Sequence, residues 1–219
     1  MQFRRTLLQL NLATRDHRVA ANTQWLKLLV PTVTRQQYIE ELITVYGFDA
    51  PLESALRYTP GLSALVDLRA RARSGLIVED LMRLGLRPRR IAALSQRFMM
   101  FSSTTEALGW MYASQCTTLP HGAVRRHLRS HLPELDGAVR YLSAYGVAAD
   151  GWRDLDGALQ TVAHTPQAKE QLIGAAIRGF TTFCAWFNEP PDGAWADDAP
   201  YRTAPSLFLP HSCATPVSP

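Results

Sequence analysis

Cysteine is scarce in this 219-residue chain: Cys116, Cys184 and Cys213 form no C-x-x-C pair and no even disulfide framework. A reducing compartment is expected, and a cytoplasmic location with it. No stretch approaches the ~18 uninterrupted apolar residues that a membrane span needs, so no membrane partner is expected. Asp16 and His17 stand where a signal peptide would need small residues for cleavage, and the start reads instead as an amphipathic helix. A Gly-rich phosphate loop, a nucleophile elbow and a helix-borne Glu-x-x-His are all missing. That sets aside nucleotide binding through a P-loop, serine hydrolysis of the α/β type and a di-iron carboxylate bundle. No strand-like alternation and no fixed-period repeat is found.

What is present is helical pattern in a chain that is 47% hydrophobic and 19% charged, enough for one sizeable core. The net charge of +4 permits acidic partners. Arg69, Arg71 and Arg73, then Arg87, Arg89 and Arg90, then Arg125, Arg126 and Arg129 form separate groups without interleaved aromatics. No nucleic-acid partner is therefore expected. Residues 4–29 read as one long helix or two abutting ones. One side carries Leu8, Leu12, Val19 and Leu26, and a neighbouring side carries Leu10, His17, Ala21 and Leu28. Two apolar sides predict cover on both. Thr34 with Gln37 matches a capping box for a helix over 35–48, and Pro51 is expected to open a third.

Further helices are expected over 62–73 and 77–84, the latter ended by Gly85. Ile91, Leu94 and Phe98 then predict a helix from Pro88 to about Phe101. The stretch 107–122, ALGWMYASQCTTLPHG, starts helical and passes into small and hydroxyl-bearing residues before Pro120. Such a surface suits either a tight crossing of two core helices or the close approach of a flat ligand. Helices beyond Pro120 and Pro133 lead to Tyr145-Gly146, and two more follow over 151–162 and 167–187. After Asn188 seven prolines mark a tail, 189–219, in which Leu207, Phe208 and Leu209 could dock on the body.

His17 lies one turn from Ala13-Thr14 and one turn before Ala21. It reads as a satisfied core histidine or as an iron ligand facing the small-residue stretch. His127 and His131 face one another at i,i+4, a spacing that could bind zinc but lacks a nearby carboxylate or cysteine. Cys116 has no adjacent base, so structural burial competes with thiolate chemistry there.

Taken in order, separated features resemble the heme oxygenase family, specifically its bacteriophytochrome-associated bacterial branch. They are Leu12-Ala13-Thr14; Tyr38 with Tyr46-Gly47-Phe48 and Pro51-Leu52-Glu53; Glu79-Asp80-Leu81 with Leu84-Gly85; and Ala107-Leu108-Gly109 with Tyr112 and Thr118-Leu119. Arg140-Tyr141 with Tyr145-Gly146, Trp152, Ala175-Ala176, Phe180, Phe183 and Trp186-Phe187 continue the series. The resemblance implies an all-α, heme oxygenase-like multihelical single domain over 1–188, with haem held between a proximal and a distal helix. It also implies conversion of haem to biliverdin, iron and CO by dioxygen and an external electron donor.

The family's proximal register places Arg18 at the iron-ligand position and Asn22 at that of a glutamate. His17 is one residue, about 100° of helix rotation, away. A guanidinium has no lone pair for iron, so His17 is the metal-ligand candidate and Arg18 a cofactor contact. On the distal side Cys116, Pro120 and His121 stand where the family has glycines that let backbone approach the haem. Thr117 keeps a hydroxyl in place of serine and is the catalytic candidate. Two readings follow: a haem-cleaving oxidoreductase that uses His17 and Thr117, or a degenerate scaffold binding another tetrapyrrole-sized ligand or a protein partner.

Overall fold

The helical periodicity is realised as eleven α-helices joined by short turns in a computed structural model that describes residues 5–144 and 148–188, with the side chains of 148–150 excepted. The Tyr145-Gly146 pair and the proline-rich tail lie outside the described residues, and no strand occurs within them. The amino-terminal segment forms α1 (Arg5–Ala13) and α2 (Arg15–Leu26), abutting at Thr14. The long α3 (Arg35–Tyr58) follows, then α4 (Leu68–Arg71), α5 (Ser74–Arg83) and α6 (Pro88–Ala92). Next come α7 (Thr104–Thr117), α8 (His121–His131) and α9 (Arg140–Ser143), and finally α10 (Ala148–Val162) and α11 (Pro166–Asn188). None of them is long and apolar enough to cross a membrane.

Several starts and stops follow the sequence signals. At the head of α3, Thr34 Oγ1 accepts from the Gln37 amide at 3.2 Å while the Thr34 amide donates to Gln37 Oε1 at 2.8 Å, the reciprocal box expected. Ser103 Oγ caps α7 by accepting from the Glu106 amide at 3.2 Å. Gly85 ends α5 with φ of 91°, a conformation cheap only for glycine.

Four expectations are overturned. Pro51 does not open a helix but sits inside α3. Its missing N–H would have bonded to the Gly47 carbonyl, and that acceptor takes the Arg97 amide at 2.9 Å instead, so the gap in the ladder is filled from a loop. A Cβ on Gly47 would lie 2.5 Å from the Ser95 carbonyl oxygen, which is why glycine stands there. The helix expected from Pro88 to Phe101 stops at Ala92, and Phe98 is 85% exposed. The apolar side formed by Leu8, Leu12, Val19 and Leu26 is exposed rather than covered. Likewise the 62–73 pattern yields only a 3-10 turn and the four-residue α4.

The core is centred on α7, which crosses α11 closely and packs against α2 and α10. Trp25, Tyr38, Tyr112 and Phe180 are its largest fully buried side chains. At the α7–α11 crossing a Cβ on Gly109 would lie 2.6 Å from Ala175 Cβ, and one on Gly179 would lie 2.9 Å from Ala113 Cβ. Small residues on one face of α7 therefore serve helix crossing, leaving its other faces to meet α2 and the end of α3.

Candidate functional site

Thr6, Leu10, Thr14, Ala21, Trp25 and Leu28 are the buried positions of the amino-terminal helices, and their spacing of three, four and seven residues defines one inward stripe. Arg18 completes that stripe one turn after Thr14. His17 fits the same spacing, three residues after Thr14 and four before Ala21, and is half-buried as Arg18 is, but it makes no hydrogen bond or ion pair among the described residues. Of the two, it is the Arg18 guanidinium that reaches the seam with α7, through Asn11 and Cys116, at the position where an iron ligand would be required.

Opposite this stripe α7 presents Tyr112 and Cys116, one turn apart. Tyr112 Oη donates to Asn11 Oδ1 at 2.9 Å, and Thr14 Oγ1 lies 3.3 Å from the same phenol oxygen. Arg18 Nη1 donates to that same Asn11 oxygen. Burial pushes the Cys116 thiol up to about 11, although hydrogen bonding with Tyr112 and the Arg18 guanidinium pull it down. The sulfur is therefore protonated near neutral pH and no thiolate nucleophile. Burial also raises the Tyr112 phenol well above its ordinary value. Asn11, Thr14, Arg18, Tyr112 and Cys116 form a continuous polar bridge across the seam between the amino-terminal helices and α7.

The other residues singled out from sequence are not brought into that seam. Thr117 Oγ1 donates to the Ser114 carbonyl at 2.8 Å, so its hydroxyl hydrogen is held by its own helix. Pro120 does not bend one helix but separates α7 from α8, whose first residue is His121. The His121 ring is buried edge-on to Trp25, centroids 4.4 Å apart, and tilted 5.1 Å from Tyr141. Burial lowers its pKa to about 3, keeping the imidazole neutral. His127 and His131 stack at 4.0 Å, but no cluster of three metal-ligating side chains occurs among the described residues.

Sequence reasoning missed a second polar cluster, on the far side of α7. Asp49, Glu53, Arg71, Arg73, Ser114 and Gln115 line a cavity of about 40 Å³, room for a water or two and far short of a macrocycle. Tyr141 Oη donates to Asp49 Oδ2 at 2.7 Å. Arg71 reaches Gln115 Oε1 at 3.4 Å and Asp154 Oδ2 at 3.0 Å, and Glu53 accepts from the Ser74 amide at 2.8 Å. Burial pushes the Asp49 carboxyl up to about 7, opposed by the Tyr141 bond and reinforced by Glu53. The usable signal was the i,i+4 carboxylate pair Asp49 and Glu53 within an otherwise apolar run of α3. A larger groove, about 450 Å³, runs along residues 63–69 to Asp154 and touches none of the residues named for the seam.

The order and packing of these helices define an all-α protein with the heme oxygenase-like fold. The crystal structure of the NO- and CO-bound heme oxygenase from Neisseria meningitidis matches with a TM-score of 0.60 and 19% identity, covering 94% of this chain and 98% of that one. No protein-family profile matches the sequence, and no curated protein matches it.

Haem as the resemblance places it does not fit the residues present. A guanidinium reaches into the seam at the ligand position, and a direct hydrogen bond from Tyr112 to Asn11 joins the two walls between which a macrocycle would lie. The bridge has a measurable weight. Tyr112→Phe deletes the donor to Asn11 and is expected to lower stability by about 1–2 kcal/mol, read from urea unfolding. An unchanged midpoint would mean that the bridge is not formed in solution.

Proposed function

We propose that this protein uses the heme oxygenase scaffold for binding without cleaving haem, and that its seam takes a hydrophobic carboxylic acid of tetrapyrrole size. The inward Arg18 carries this reading. A guanidinium cannot ligate iron, but its planar fork suits a carboxylate, which could replace Asn11 as its acceptor. The motif order that resembles the bacteriophytochrome-associated branch points to a linear tetrapyrrole acid, biliverdin, as the probe of choice. Opening the seam exchanges Asn11 and Tyr112 contacts for contacts to the ligand, so the cost of opening limits the affinity.

The competing reading is O2-dependent conversion of haem to biliverdin, iron and CO with an external electron donor. It needs His17 to take the place that Arg18 holds at the seam, and the Tyr112–Asn11 bridge to part. One experiment separates the two. Titration with hemin under anaerobic conditions should give weak, non-saturable association, the same spectrum in His17→Ala, and no biliverdin when oxygen and ascorbate are added. Titration with biliverdin should saturate and weaken roughly tenfold or more in Arg18→Gln, the loss of one charge-assisted pair. A saturable submicromolar hemin complex that disappears in His17→Ala and yields biliverdin would replace this reading by the catalytic one.

A further inference from the structure

The loop after α6 has the opposite of the environment its sequence suggests. Phe98 is 85% exposed and Met100 78% exposed, whereas Phe101 between them and α7 is buried with its ring 5.4 Å from that of Trp110. Met99 is half-buried against the core. The segment therefore alternates, with 98 and 100 outward and 99 and 101 inward. It is also anchored at its start, where the Arg97 amide donates to Gly47 at 2.9 Å. Two large apolar side chains are thus held out by a loop fixed at both ends, so their exposure does not come from a loose segment.

The chain leading up to them carries charge of one sign, and the Glu106 carboxylate that follows is taken up by Ser102 and Arg178. Residues 81–105 contain Arg83, Arg87, Arg89, Arg90 and Arg97 and no carboxylate. Arg87, Arg89 and Arg97 are exposed and Arg90 is half-buried. None of these four makes an ion pair or a side-chain hydrogen bond among the described residues. Four guanidiniums elsewhere do form ion pairs, Arg71 with Asp154, Arg129 with Asp136, Arg140 with Glu79 and Arg178 with Glu106.

We infer that the α6 loop is a peripheral contact for an anionic phospholipid surface, with Phe98 and Met100 entering the acyl boundary and Arg87, Arg89, Arg90 and Arg97 meeting the phosphates. Guanidinium forks match phosphate oxygens, and a bilayer receives single protruding side chains without a complementary pocket. A protein partner would need a contact of roughly 800 Å² on this side, whereas the apolar part here is two exposed side chains. The expectation of no membrane partner came from the lack of a spanning segment, and a peripheral contact needs none.

The test is co-sedimentation of the full chain with vesicles of phosphatidylcholine alone or with added phosphatidylglycerol, at low and physiological salt. Retention should require phosphatidylglycerol and weaken with salt. Phe98→Ser with Met100→Ser should reduce binding roughly tenfold or more. Replacing the four arginines by glutamine should reduce it by about fivefold per charge. Thermal unfolding of both variants should match the wild type, because these side chains make few contacts. Equal retention on both vesicle types, or undiminished binding by the Phe98/Met100 double variant, would overturn the proposal. So would retention on a polyglutamate column with none on vesicles, which would indicate an acidic protein partner.

Discussion

Between pH 4 and pH 8, Asp49→Asn gains about 4 kcal/mol of stability relative to the wild-type chain. The folded protein keeps the Asp49 proton to about pH 7, whereas an unfolded aspartate releases it near 3.8. Between those values the native state binds more protons than the unfolded one, so stability falls as pH rises. Roughly three pH units at 1.36 kcal/mol each give the magnitude. Glu41 acts with the same sign. Burial pushes its carboxyl up to about 7 against the pull of Lys27, whose Nζ lies 2.9 Å away. His121 opposes both. Its depressed pKa makes stability fall as pH drops below about 6.5, the range in which an unfolded histidine would be charged. The wild-type profile is therefore a compromise, and the difference between variant and wild type isolates Asp49. Urea unfolding across that pH range checks it; curves that run parallel would show that Asp49 titrates normally.

Gly109→Ala lowers stability by about 2 kcal/mol, although alanine is the better helix former by about 1 kcal/mol. The new methyl would stand 2.6 Å from Ala175 Cβ, 2.8 Å from the Leu172 carbonyl oxygen and 2.9 Å from the Ala176 nitrogen. Two of those atoms are backbone, so no rotamer change relieves the overlap and α7 must move off α11. Gly75→Ala in α5 is the control, since nothing lies within 4 Å of a Cβ there and the usual helix gain should appear. A melting temperature roughly 4–8 °C lower for Gly109→Ala, partly restored by Ala175→Gly, is the expected reading. Equal melting of the two alanine variants would mean that the crossing is looser than described.

Helix type was legible because it rests on local repetition and caps. Thr34–Gln37 and Gly85 act within a single turn, and each appears where its chemistry places it. The errors come from interactions that local pattern does not carry. Gly47 and Pro51 look like a helix end until the Arg97 amide supplies the missing bond from a distant loop. Phe98 keeps helical spacing with Ile91 and Leu94, yet the Arg97 amide is committed to α3, and the helix stops at Ala92 instead. At the seam, the helical wheel grouped His17 with Leu10, Ala21 and Leu28, and only the family register put Arg18 at the ligand position. The pairing of Arg18 and Tyr112 on one Asn11 oxygen depends on side chains from two helices and could not be read from either. Asp49 stayed hidden for a similar reason, because its partner Tyr141 comes from α9.

The proline in α3 has a consequence for how this chain can drift in length. A carbonyl in the middle of a buried helix is satisfied by one loop amide, so insertions or deletions between Leu94 and Arg97 would strand it. Past that amide no such tether acts until Phe101. Natural variation in loop size should therefore collect at the tip carrying Phe98 and Met100, leaving its root invariant in length.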